Sequence, residues 1–185
     1  MERLIRLLQK YATGKVVLVL FTLTVAVYLA MLLYSIPAVV SFAPDMMLFD
    51  LSPAGYTFEY AVALLEALGS EGRATYLTTQ LPLDFFYPGL FAVTYSLLLT
   101  WLFLKGADHS SKVYYFSLVP IAAGLFDYIE NVLIVSMINS FPDISPTIAE
   151  LASIFTILKS IFSAFFIVLF FWGLFLFLKE KRSVV

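Results

Sequence analysis

The residues best placed to do chemistry in this chain lie in Gly124–Asn131, the stretch Gly-Leu-Phe-Asp-Tyr-Ile-Glu-Asn, inside an otherwise apolar run. Asp127 and Asn131 are four residues apart and Asp127 and Glu130 three apart, so on a helix they are neighbours. Asp84 and Tyr87 open a second apolar run, and Lys159 interrupts another. Ionisable side chains in such runs are costly and need partners. Three chemistries suit the set. Asp127 or Glu130 can serve as general acid or base. The acids can hold a polar or cationic head. Alternatively, the acids and Lys159 only tie helices together. One amine cannot neutralise Asp84, Asp127 and Glu130, so one carboxyl is expected to be protonated or to face a water-filled pocket. Tyr28, Tyr87, Tyr95 and Tyr128 are candidates to line that pocket. The expected binding set is therefore Asp84, Tyr87, Asp127, Tyr128, Glu130, Asn131 and Lys159.

Composition says what must position these groups. The chain has 185 residues, 62% of them hydrophobic and 13% charged, with a mean hydropathy of +0.95. Soluble domains run at about 45–50% apolar and about 25% charged. So much apolar surface needs lipid around it, and the expected class is an all-α integral membrane protein. A net charge of -2 gives no electrostatic footprint for nucleic acid. There is no Cys and a single His, His109, read as a solvated turn residue, so a Cys/His metal centre has no ligands. No cofactor is expected. Nucleophile-elbow, H-E-x-x-H, P-loop and dinucleotide patterns are absent.

Taken in order, Met1–Lys15 is basic and carries Leu4, Ile5 and Leu8 on one helical face, suited to a headgroup layer. The run that follows is too long for a signal-peptide core and has no small-x-small cleavage site, so it reads as an uncleaved helix ending before Pro37. The spacing predicts one membrane domain with four spans, at about 16–36, 85–104, 113–138 and 149–178, and a long loop at 41–83. Within that loop, Phe58, Val62 and Leu65 share a face of a short amphipathic helix over Thr57–Leu68, with Gly69 as its stop. Pro88-Gly89 predicts a kink or break in the second span, and Pro120 and Gly124 are weak points of the third. Thr147-Ile-Ala-Glu150 fits a capping box that starts the fourth.

Lys and Arg distribution sets the expected orientation. All eleven except Arg73 and Lys159 fall in the two tails or beside the Gly106 turn, so both termini are expected in the cytoplasm and loop 41–83 outside. Lys105, Lys112 and Lys179 mark a common floor. At the rise of an α-helix, Asp127 stands about 22 Å above it, Glu130 and Tyr87 about 27 Å, Lys159 about 30 Å and Asp84 about 31 Å. Three helices thus place three acids and one amine in the outer third of the hydrocarbon layer. Arg73 could reach the group from above. Asp84 and Asp127 differ in height by about 9 Å, which argues against an aspartyl dyad.

This layout resembles that of the emopamil-binding and sigma-2 receptor group, through Asp84 with Pro88 in the second span and Leu104-Lys105-Gly106 closing it. The acid that group carries in its first span has no counterpart here, because 16–36 contains no carboxylate. The resemblance implies a bundle able to enclose a sterol-like or cationic amphiphile. The expected function is binding or handling of a lipid-like or cationic amphiphilic ligand in an outer-leaflet pocket lined by carboxylates. A membrane-embedded enzyme using Asp127 or Glu130, an oligomeric proton or cation transporter, and a structural or assembly protein are the alternatives. The expected partners are membrane lipids, such a small molecule and further copies of the chain.

Overall fold

The computed structural model describes residues 1–106 and 112–183, with side chains as far as Lys179; His109 lies outside the described residues. Among the described residues every regular element is helical. α1 (Glu2–Tyr11) is amphipathic and buries Ile5 and Leu8 against the bundle, leaving Leu4 exposed. The chain then turns at Ala12, and Thr13 Oγ1 accepts the Val16 N–H at 3.4 Å to cap the next helix. That helix comprises α2 (Gly14–Ala30), a π-helical turn (Met31–Ser35) and α3 (Ile36–Val40). The expected stop before Pro37 does not occur. Proline lacks an N–H and crowds the preceding turn, and the wider π turn immediately ahead takes up that strain, so the helix continues to Val40.

The segment 41–83 is more ordered than the sequence predicts. α4 (Phe58–Thr75) starts at the Thr57 cap, whose Oγ1 accepts the Tyr60 N–H at 3.2 Å. Gly69, at φ 62°, interrupts it at the expected residue. Helical backbone resumes beyond it, passes through a second π turn (Tyr76–Gln80) and enters α5 (Leu81–Gly106) directly. α4 buries Ala61, Leu64, Leu65 and Leu68 in a cluster with Ile134, Met137, Ala149 and Ala152, at the loop end of the bundle. α5 is helical straight through Pro88, so the expected break does not occur. A 3₁₀ segment (Lys112–Leu118) leads into α6 (Val119–Ser140), with Pro120 in its first turn. α7 (Pro146–Ser183) begins one residue before Thr147. The Ser145 carbonyl accepts the N–H groups of Ile148 at 3.1 Å and Ala149 at 3.2 Å, so the expected capping box does not set the start.

α5 is the central element: α2, α6 and α7 all pack against it, and α6 also packs on α7. A buried Thr24–Thr94 hydroxyl pair at 2.7 Å joins α2 to α5. α5 and α6 approach closely where Gly124 meets Pro88; a Cβ at Gly124 would sit 2.7 Å from the Pro88 carbonyl oxygen and 3.1 Å from Ala92 Cβ. Four helical stretches, Gly14–Val40, Phe58–Gly106, Lys112–Ser140 and Pro146–Lys179, are long and apolar enough to cross a membrane. The first and last expose most of their apolar side chains, with Leu33 at 74% and Phe171 at 62% exposure.

Candidate functional site

The site begins with the local chemistry of Pro88. In a helix the N–H of residue i+4 satisfies the carbonyl of residue i. Pro88 has none to give, so the Asp84 carbonyl is left without its helical donor inside a buried segment. Asn131 Nδ2 supplies the missing donor at 2.9 Å. This bond ties α6 to α5 beside the acid-bearing face of α6.

Lys159 on α7 completes the arrangement. Its Nζ lies 2.6 Å from Glu130 Oε2 and 3.4 Å from Asp127 Oδ1. Thr156, one turn earlier on the same face, donates to Glu130 Oε1 at 2.7 Å. Glu130 is fully buried and committed to these two partners. Lys159 also donates at 3.4 Å to the backbone carbonyl of Asp50, in the 3₁₀ turn Phe49–Leu51. The Asp50 carboxylate is held by the Tyr76 hydroxyl and, at 3.2 Å, by Gln80 Nε2. Gln80 in turn accepts from Ser35 Oγ at 2.5 Å. The two π turns therefore meet across a polar bond, and both feed the same acid group.

These groups surround a cavity of about 370 Å³. Asp50 and Leu51 roof it, Asp84, Tyr87 and Phe91 line it from α5, Gly124 and Asp127 from α6, and Lys159, Ser160, Ser163 and Ile167 from α7. Tyr28 and Met31 close the α2 side, where the Tyr28 and Tyr87 rings stand 5.6 Å apart. Asp84 Oδ2 is buried and has no hydrogen-bond partner among the described residues. Asp50, Asp84, Asp127 and Glu130 thus face one ammonium. Tyr56, in the irregular chain beside the roof, is bound through its N–H to Ser153 Oγ at 2.8 Å. Burial, reinforced by the Glu130 carboxylate, pushes its phenol well above the ordinary value.

Of the residues expected at the site, Asp84, Tyr87, Asp127 and Lys159 line the cavity, and Glu130 and Asn131 stand behind its wall. Tyr128 does not join them: its ring lies 6.4 Å from Phe85 and its hydroxyl covers Gly89. Tyr28 lines the cavity, while Tyr95 packs on Phe166 at 4.6 Å beneath it. Arg73 points elsewhere, donating to the Leu65 carbonyl at 2.6 Å and stacking 4.2 Å over Phe141. Asp50, Tyr76, Gln80 and Thr156 were not singled out from the sequence. Thr156, Ser160 and Ser163 do carry a signal, being spaced three to four residues apart around Lys159. Asp50 carries none. The arrangement can hold a cation, exchange a proton with a bound group, or do both. No protein-family model, curated protein or solved structure matches the chain.

Proposed function

We propose that this chain is an integral membrane protein that binds an amphiphile with a cationic head in a pocket of the outer leaflet. The Lys and Arg distribution supports cytoplasmic termini, which puts the loop end, the acid group and the cavity in the outer half of the bilayer. One observation carries the reading. The cavity has charge at one end and apolar surface at the other, with Asp50, Asp84 and Asp127 set against the Lys159 amine and Phe91 and Ile167 about two helical turns deeper. Its size falls in the range of small-molecule sites, about 300–1,000 Å³. The Tyr28 and Tyr87 faces offer cation–π contact beside Asp84 and Asp127. Asp84, with an unused carboxylate oxygen, is the anchor for the head, and Asp127 shares its charge between Lys159 and the ligand.

The test is thermal unfolding in nanodiscs with dodecylamine, for wild type and Asp84→Asn. Ligand at about a hundred times its Kd adds about 2.7 kcal/mol, or about 5–11 °C in Tm for a chain of this size. The variant is expected to fold at least as stably, because Asp84 loses no partner, and to lose the ligand-dependent shift. An unchanged shift in the variant would remove Asp84 from the site. A membrane-embedded enzyme is the second reading, favoured by the unpartnered Asp84 Oδ2 in the same cavity as Asp127. In that reading these two, rather than Glu130, exchange the proton with the substrate.

A further inference from the structure

The walls of the cavity are not equally packed, and the loosest one decides where its ligand comes from. Its floor is an aromatic cluster, with Phe91 4.7 Å from Tyr95 and 5.6 Å from Phe166. Its roof is pinned by Lys159 to the Asp50 carbonyl and by the Tyr56 N–H to Ser153, with Leu48 and Phe49 fully buried beside it. The α5–α6 wall is sealed by the close approach of Gly124 to Pro88. The remaining wall is shared by α2 and α7. Among the described residues α2 packs on α5, α7 packs on α5 and α6, and α2 and α7 make no comparable packing with each other. Tyr28 and Ile167, which flank this gap, are 45% and 52% exposed.

We propose that the ligand is a long-chain amine drawn from the lipid phase through the gap between α2 and α7, its head seated at the acids and its chain left lying in the gap. This rests on the amphiphile reading above and adds both the substrate class and the route. On a helix that crosses the bilayer, the open wall faces hydrocarbon and not water. A head group entering there meets the half-buried Ser160 and Ser163 hydroxyls before Asp127. These supply hydrogen bonds along an otherwise apolar path. A chain that trails out through the gap is not limited by the cavity volume, so each added methylene tightens binding, measured against water, by about fourfold.

The chain has no cysteine, so a crosslink can be placed without background. Tyr28→Cys/Ile167→Cys, bridged by a reducible thiol-specific spacer, closes the gap; Ile167→Trp narrows it where the crosslink does not form. The probes are dodecylamine delivered in the nanodisc lipid and butylamine delivered in water. The expected result is dodecylamine loading slowed about tenfold or more by the crosslink and restored by reductant. Wild type should bind butylamine far more weakly than dodecylamine. Unslowed loading in both the crosslinked and the Ile167→Trp proteins, or butylamine binding equal to dodecylamine, would overturn the route and the substrate class. Failure of wild type to bind either amine would overturn the amphiphile reading itself, and this inference with it.

Discussion

Lys159→Met tests whether the acid group is held by a true buried ion pair. The Lys159 side chain is 14% exposed and Glu130 wholly buried, with 2.6 Å between the charges. Removing the amine leaves Glu130 with Thr156 alone, and Asp127 and the Asp50 carbonyl without their donor. Deleting one partner of a buried pair costs about 3–5 kcal/mol. At about 2–4 °C per kcal/mol for a chain of this length, Tm falls by about 6–20 °C. The double variant Lys159→Met/Glu130→Gln removes both charges of the short pair and keeps a group that Thr156 can bond. It should recover about 1–3 kcal/mol of that loss, the coupling expected of groups in contact. The assay is thermal unfolding of the four proteins of the cycle in nanodiscs at neutral pH. Strictly additive losses, or a Lys159→Met protein as stable as wild type, would refute the pairing and leave Lys159 as a side chain that reaches the headgroups.

Three further outcomes follow from the same geometry. Gly124→Ala should destabilise the fold by about 1–3 kcal/mol, because the new methyl meets the Pro88 carbonyl and α5 and α6 must separate; chemical unfolding measures it. Asn131→Leu should cost about 1–3 kcal/mol by stripping the donor from the Asp84 carbonyl, whereas Asn131→Leu with Pro88→Ala, which restores the helical N–H, should cost less. Tyr56 is held protonated by folding, so its contribution is complete below about pH 10 and is lost as pH rises towards its folded value. Tyr56→Phe should therefore flatten the alkaline fall of Tm between about pH 10 and 12.

The parts of the molecule built on long helices were legible in the sequence. Apolar runs and the 1.5 Å rise placed Asp127, Glu130 and Lys159 in the same outer third of the layer, and the structure joins them at 2.6 and 3.4 Å. The same rise separated Asp84 from Asp127, yet both line one cavity; Lys112–Leu118 is 3₁₀ and rises about 2.0 Å per residue, so Asp127 stands higher than an α-helical count puts it. Asp50 was invisible for another reason. It reaches Lys159, 109 residues away, from a 3₁₀ turn with no periodicity to announce which way it faces. The prolines misled in a consistent direction. At Pro37 a π turn, and at Pro88 a side-chain donor from α6, accompany a helix that continues where a proline would otherwise end it. In both cases the compensation lies beyond the reach of a local rule. A lone Asn four residues after an Asp was the visible half of the Pro88 device; the proline that needs it lies on another helix.

The central claim is that the cavity selects a cationic head, and exchange of the head group at constant chain length tests it most directly. Wild-type protein in nanodiscs is titrated with dodecylamine and with dodecyl sulfate, and unfolding is followed at low ionic strength. Three cavity-lining acids against one amine predict stabilisation of about 5–11 °C by the amine at saturation and none by the sulfate. Equal stabilisation by both, or stabilisation by the sulfate alone, would mean that the acid group is not where the head binds.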